Sequence, residues 1–126
     1  MGRSFEVIAV DFDGTLCENE FPEIGAPNLE LIKYLRDKQR KGARLILWTC
    51  RCDEQLADAV DWCVNKHGLV FDVVNDNLPG MISAFGGSNP RKVYADIYID
   101  DRMSNEWKLP FVKEEKTNDN NMQIET

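Results

Sequence analysis

Two aspartates and a glycine make Asp11-Phe12-Asp13-Gly14-Thr15 the stretch of this sequence with the clearest chemical potential. The apolar run Val7-Ile8-Ala9-Val10 precedes it and has the composition of a buried strand. Because residues two apart in a strand point the same way, we expect Asp11 and Asp13 to face one cavity if the strand geometry continues that far. Paired carboxylates beside a turn are suited to holding Mg2+, attacking phosphorus or moving protons.

Two other apolar runs also end in polar groups. Leu45-Ile46-Leu47-Trp48 is followed by Thr49 and Arg51, and Ile97-Tyr98-Ile99 is followed by Asp100 and Asp101. Ligands of parallel α/β sheets bind beyond the carboxyl ends of the strands. We therefore expect all these polar side chains to lie at one edge of a sheet.

The elements that position these groups alternate between strand and helix. Strands are predicted at Phe5 to Val10, Ala43 to Trp48 and Val70 to Val74, and a fourth strand is predicted within Tyr94 to Ile99. One helix is predicted from Leu29, with Asn28 as its N-cap, to Gly42. A second is predicted from an Asp53 N-cap to Gly68. Residues 12–27 and 75–91 are predicted loops, the latter with one helical turn at Met81 to Phe85 and with Met81 and Phe85 exposed.

This pattern predicts an α/β fold, a three-layer Rossmann-like parallel sheet with helices on both faces. Residues 1–112 are predicted to form one domain, with a short helix beginning near Ser104. Residues 113–126 are predicted to be a polar, disordered tail.

The ordered motifs resemble those of the haloacid dehalogenase-like superfamily of phosphotransferases over roughly residues 5–110. Asp11-x-Asp13-Gly14-Thr15 resembles the first motif, Thr49 after its apolar strand the second, Lys92 the third and Asp100-Asp101 the fourth. The resemblance implies a Mg2+-dependent phosphomonoester hydrolase that forms an aspartyl-phosphate.

The same resemblance implies a role for each residue. Asp11 is the nucleophile, and Asp13 protonates the leaving oxygen and later deprotonates water. Mg2+ is held by Asp11, by the backbone carbonyl of Asp13 and by Asp100, with Asp101 either a direct ligand or one step removed. Thr49 and Lys92 hold the phosphate oxygens, where charge must be stabilised.

Several of these assignments have alternatives. Arg51 either contacts phosphate or substrate, or pairs with Asp53 or Glu54 at a helix start. Arg91 is an alternative to Lys92. The loop at residues 12–27 has room for an acidic flap but not for a cap domain, so the site is predicted to be open unless a second subunit of a homo-oligomer covers it.

Composition narrows the partners. The net charge of −7 disfavours a broad nucleic-acid surface, so a small phosphorylated molecule is favoured over a polynucleotide end. No apolar run is long enough to span a bilayer, and the four cysteines with one histidine do not form a zinc pattern, which predicts a cytoplasmic protein. The alternative to the enzyme is a non-catalytic phosphate- or metal-binding module that acts through a protein partner.

Overall fold

The computed structural model describes residues 5–102 of the chain, so the predicted helix near Ser104 and the tail at 113–126 lie outside the described residues. In chain order the elements are β1 (Val7–Val10), β2 (Cys17–Glu20), β3 (Glu23–Pro27), α1 (Leu29–Arg40), β4 (Arg44–Leu47), α2 (Asp53–Asp61), a π-helical segment (Trp62–Lys66), β5 (Val73–Val74), α3 (Pro79–Ala84) and β6 (Ile97–Ile99).

Four strands form a parallel sheet in the order β5-β4-β1-β6. Ile8 of β1 lies opposite Leu45 of β4 on one side and Ile97 of β6 on the other. All four residues of β1 are buried, as expected for the inner strand of a parallel sheet covered on both faces. The prediction of an α/β fold is confirmed at this level.

Apolar side chains cover both faces of the sheet. On one face, Ile8 and Val10 belong to a cluster that includes Ile32 and Leu35 of α1. On the other, the alternate β1 residues Val7 and Ala9 pack in a cluster that includes Met81 of α3. Each fully buried aliphatic side chain of this kind contributes about 1.5–3 kcal/mol. These two layers of packing hold β1 and the residues that follow it in place.

Two aspartates shorten the strands relative to the prediction. The Asp72 carboxylate accepts a hydrogen bond from Leu45 N at 2.8 Å, and Asp96 accepts one from Val7 N at 2.8 Å. At these points a side chain takes the place of a backbone partner from the neighbouring strand. For this reason β5 begins later than the predicted Val70, and β6 occupies only the last three residues of the range Tyr94 to Ile99 in which it was predicted.

The prediction of a loop at residues 12–27 is corrected by the structure, because this segment contains an antiparallel hairpin of β2 and β3. Glu, Asn, Gly and Pro are depleted in strands, so local preference gave no strand signal there. The hairpin is anchored from outside instead, because Arg51 donates to its turn carbonyls at Pro22 and Glu23. Within residues 5–102, this hairpin is the whole insertion between β1 and the turn into α1.

The helix starts give one confirmation and one correction. Asn28 caps α1 as predicted, because its side chain accepts a hydrogen bond from Leu31 N. The N-cap of α2 is Cys52 rather than Asp53, since the Cys52 carbonyl accepts from Leu56 N at 3.2 Å. Asp53 lies in the first turn, where its charge still interacts favourably with the helix dipole.

The predicted turn at Met81 to Phe85 is part of helix α3, which begins at Pro79. Phe85 is exposed as predicted, but Met81 is buried in the second apolar cluster, so its predicted exposure was wrong. Among residues 5–102, no helix combines the length and the apolar character that crossing a membrane requires.

Candidate active site

An acidic cluster lies where the inner strand β1 and its neighbour β6 end. The backbone N–H of Asp11 donates to Ile99 O at 2.9 Å, which keeps the two strand ends level. Asp11 follows β1, and Asp100 and Asp101 follow β6. These three residues can each place a carboxylate oxygen within 4.8 Å of the others. Asp11 is half-buried, whereas Asp100 and Asp101 are exposed.

Gly14 and Thr15 bring Asp101 to this cluster. Gly14 has φ +82°, and a Cβ added there would lie 2.1 Å from Asp101 Oδ2. Only a residue without a side chain allows the carboxylate to approach the backbone so closely. The buried Thr15 hydroxyl accepts a hydrogen bond from Asp101 N at 3.0 Å and lies 3.5 Å from Asp11 Oδ2. The turn after β1 therefore packs directly against the end of β6.

The surroundings of Asp11 oppose the ionisation of its side chain. Burial is the largest cause that raises the pKa of Asp11, to about 6, and the charges of Asp100 and Asp101 add to it. A hydrogen bond from the Phe12 backbone N–H lowers the pKa but does not cancel the rise. Three carboxylates this close repel one another unless a cation or a proton lies between them.

The donor set fits a hard divalent cation. All three side chains offer carboxylate oxygen, and the described part of the chain places no cysteine or histidine in the group. Mg2+ is bound in proteins through one or two carboxylates and keeps several waters, so an open, oxygen-only site of this kind suits it. The exposure of Asp100 and Asp101 leaves room for those waters.

Asp13 has a different environment, although it lies only two residues from Asp11. Its carboxylate forms a bidentate ion pair with Arg51, with Nε donating to Oδ2 at 2.8 Å and NH2 donating to Oδ1 at 2.8 Å. Strand β1 ends at Val10, so strand alternation does not set the direction of the Asp13 side chain, and its place in the cavity of Asp11 stays a prediction. The side chain of Arg51 is 1% exposed and that of Asp13 is 19% exposed.

The remaining donors of Arg51 are bonded to backbone carbonyls. NH1 donates to Pro22 O at 3.2 Å and Gln55 O at 3.3 Å, and NH2 donates to Glu23 O at 2.9 Å. A guanidinium has five N–H groups, and all five therefore have protein acceptors here. Its hydrogen bond to Asp13 is the main cause that raises the pKa of Arg51. The alternative pairing with Asp53 or Glu54 is not what the structure shows; α2 contributes the Gln55 carbonyl instead.

Thr49 is half-exposed just beyond β4, the other neighbour of β1. Trp48 N donates to Val10 O at 2.9 Å, which places Thr49 beside the residues that follow β1. The position of Thr49 is fixed because its N–H donates to Asn75 Oδ1 at 2.8 Å and its hydroxyl oxygen accepts from Arg51 N at 3.1 Å. The hydroxyl hydrogen is not used by this last bond.

Lys92 lies beside the outer strand. Its Nζ is 5.4 Å from the centroid of the Tyr98 ring, a cation–π contact. Ile97 and Ile99 pack against the α1 side of the sheet, so by alternation Tyr98 faces the other side. Lys92 and Arg91 are both exposed, and the choice between them as the phosphate ligand remains a prediction.

The roles of two residues at the site were not foreseen from sequence. Thr15 links the ends of β1 and β6 through its hydroxyl, and Asn75, with φ 53°, orients the backbone of Thr49. The sequence signal for Asn75 is its residue type, since asparagine tolerates positive φ and bonds to nearby backbone. Thr15 belongs to the first motif, but the sequence does not indicate its bond to Asp101, because that partner lies 86 residues away.

A small depression of about 270 Å³ lies between the acidic pair and the start of α1. Gly14, Thr15, Asp100 and Asp101 line it on one side, and Asn28 and Leu31 line it on the other. Asn28 joins the two sides, because its side-chain amide donates to Thr15 O at 3.1 Å while its oxygen caps α1. The acidic cluster is thus reachable from outside rather than enclosed.

Fold and site together define an α/β protein with an acidic cluster at the carboxyl ends of adjacent parallel strands. Among solved structures, the chain is similar to one described as a conserved protein coded by a locus from Bacteroides thetaiotaomicron. The two are 39% identical, the match covers 79% of this chain and 78% of the other, and the TM-score is 0.68. The chain belongs to the same family as this Bacteroides protein. No protein-family model and no curated protein matches it.

Proposed function

We propose that this protein is a Mg2+-dependent phosphomonoester hydrolase of the haloacid dehalogenase-like type, acting through an aspartyl-phosphate. The observation that carries the proposal is the position of Asp11. It is a half-buried carboxylate at the end of the inner strand of a parallel sheet, within 4.8 Å of two exposed carboxylates. Together with the apolar packing on both faces, this supports a three-layer Rossmann-like core without a cap domain.

Each residue has a role that follows from its chemistry. Asp11 attacks phosphorus, because a carboxylate is a nucleophile that needs no activating base once it is ionised. The Thr49 hydroxyl hydrogen is available for a phosphate oxygen, and Lys92 is proposed as the second phosphate contact. Asp13 exchanges protons with the leaving group and the attacking water.

Asp11, Asp100 and Asp101 would hold Mg2+ through side-chain oxygens, with the backbone carbonyl of Asp13 proposed as a further ligand. When bound, the ion supplies positive charge that offsets both the carboxylates and the phosphate. A bound cation would therefore explain why three mutually repelling carboxylates lie together.

The proposed substrate is a small phosphorylated molecule from the cytoplasm. The hairpin beside the site presents exposed acidic residues, and like charge disfavours a long polyanion approaching from that side. A phosphorylated nucleic-acid end is the less favoured alternative. An open depression rather than an enclosed pocket leaves space for a second subunit to act as a lid.

The first experiment is phosphate release from 4-nitrophenyl phosphate with Mg2+ or with chelator. The control is Asp11→Asn, which keeps the size of the side chain. We expect Mg2+-dependent release in the wild type and a loss on the order of 10⁵-fold in the variant, as for other enzymes that lose their nucleophile. Folding of the variant is checked by thermal unfolding.

Two results would count against the proposal. Release that persists in Asp11→Asn would remove the nucleophile assignment. Absence of release from aryl phosphates, nucleotides and sugar phosphates, in a protein that still binds Mg2+, would favour the non-catalytic binding module.

A further inference from the structure

The guanidinium of Arg51 is held on three sides before any substrate arrives. The hairpin contributes the carbonyls of Pro22 and Glu23, α2 contributes that of Gln55, and the turn after β1 contributes the carboxylate of Asp13. The rings of Phe12 and Phe21 each lie 5.0 Å from the Arg51 Cζ. A side chain that is 1% exposed and fully bonded has a single available position.

This arrangement argues against a direct contact between Arg51 and phosphate. To donate to a phosphate, the guanidinium would have to give up bonds that it already makes, among them the two bonds to the half-buried carboxylate oxygens of Asp13. Leaving such acceptors unpaired costs roughly 1–3 kcal/mol each. Arg51 is better placed to act through Asp13, to which it is bonded.

The bidentate ion pair with Arg51 fixes the orientation of the Asp13 carboxylate. Both carboxylate oxygens accept an N–H from the same planar fork, each at 2.8 Å, so the plane of the carboxylate is set by the guanidinium. A carboxylate has about four lone-pair sites, and two are left after the fork has bonded. Asp13 is therefore presented as an oriented proton acceptor.

We propose that Arg51 is a positioning residue that holds the Asp13 carboxylate as the base for hydrolysis of the aspartyl-phosphate. The inference rests on the proposed phosphatase function. In this step a water oxygen forms a bond to phosphorus and the bond between phosphorus and the Asp11 oxygen breaks. The water proton passes to Asp13, and inorganic phosphate leaves with Asp11 restored as a carboxylate.

The test uses 4-nitrophenyl phosphate with Mg2+, because its leaving group departs without protonation and the first step does not need Asp13. Arg51→Lys keeps the charge but loses the bidentate fork. We expect its kcat to fall about 100-fold, the range in which a positioned base contributes, while kcat/KM changes little. A burst of nitrophenolate and accumulation of phosphorylated protein, seen by intact-mass analysis after acid quench, should accompany the loss.

Arg44→Lys is the matched control. Arg44 is exposed at the start of β4, the end of the strand remote from Thr49, and its Cζ lies 4.6 Å from the Phe5 ring. It changes the same residue type away from the site and should show neither the loss of kcat nor the burst. Arg51→Gln is the second variant, for use if lysine prevents folding as judged by thermal unfolding. It is expected to show the same accumulation.

The other outcomes are distinct from one another. A fall in kcat/KM with a raised KM would overturn the inference in favour of a direct phosphate ligand. Equal losses in kcat and kcat/KM with no phosphorylated protein would mean a structural role only. Absence of turnover in the wild type would instead overturn the phosphatase proposal, and the role of Arg51 with it.

Discussion

Asp11 and Asp13 are two residues apart in the chain, yet the regions around them solve the problem of a charged carboxylate in opposite ways. Asp13 is compensated by a buried cation from the protein itself, with two bonds of 2.8 Å. Asp11 faces two more carboxylates, and its pKa is raised to about 6, chiefly by burial. The charge of Asp13 is thus compensated within the protein, whereas the negative charges around Asp11 are not.

The difference separates two kinds of function. A pair that is already satisfied stays in one geometry and suits a group that must be oriented. A cluster of like charges binds an external cation strongly, because the cation relieves repulsion that folding created. The turn at Gly14, where φ is +82°, follows both aspartates and lets the Asp101 carboxylate approach the backbone beside them.

Removing one charge from each region should change stability unequally. Asp13→Asn leaves the buried Arg51 facing an amide and should lower the free energy of unfolding by about 3 kcal/mol, as when a buried ion pair loses one partner. Asp100→Asn removes a repelling charge from an exposed position, so the free energy should change by less than about 0.5 kcal/mol or rise. Urea unfolding in the presence of chelator measures both.

The two asparagine variants control for one another, since each makes the same change of side chain. Equal destabilisation would mean that the regions do not differ as described. Asp100→Asn should also weaken Mg2+ binding, and an unchanged Mg2+ titration would move the metal site away from Asp100.

The pH dependence of Mg2+ binding should reveal the uncompensated region. Because the pKa of Asp11 is raised from 3.8 to about 6, the metal-free folded protein binds a proton more tightly than the unfolded chain does. The contribution of Asp11 to stability without metal is therefore fully present below pH 3.8 and is lost as pH rises to about 6. Below pH 6 the proton competes with Mg2+, so the apparent affinity should fall about tenfold between pH 7 and pH 5.

Calorimetric titration of Mg2+ into chelator-treated protein at several pH values checks this. Asp11→Asn is the control, because an amide does not titrate and its weaker binding should vary far less with pH. A wild-type affinity that is flat from pH 7 to pH 5 would show that Asp11 is not the competing group.

Much of the fold was predictable because its signals are local. The apolar runs around Ile8 and Leu45 identify inner strands, and Asn28 marks the start of α1. The hairpin was not predictable in this way. Its strands carry residues with low strand preference, and its turn is anchored by Arg51, which lies 28 residues or more along the chain.

The site likewise has one part that could be predicted from sequence and one part that could not. The grouping of Asp11 with Asp100 and Asp101 follows from strand order, because all three come at strand ends. The pairing of Asp13 with Arg51 depends on where the chain turns after β1, and periodicity gives no information on that. A buried arginine requires a partner, but sequence alone does not choose among Asp13, Asp53 and Glu54.

The smallest expected effect tests how closely the two regions depend on the turn between them. Gly14→Ala places a methyl group where Asp101 Oδ2 now lies, on a backbone with φ +82°. Gly86→Ala places a methyl group on a backbone with φ +74°, where nothing lies within 4 Å. Both variants should lose about 1–2 kcal/mol of stability from the left-handed backbone. Only Gly14→Ala must also displace Asp101, and because that carboxylate is exposed, Mg2+ binding should weaken by only about 0.5 kcal/mol, roughly twofold.

Equal Mg2+ affinity in the two variants would show that Asp101 contributes nothing to the binding of the cation. A loss of tenfold or more in Gly14→Ala alone would make Asp101 a principal ligand, and would mean that the turn that follows Asp13 also completes the acidic cluster.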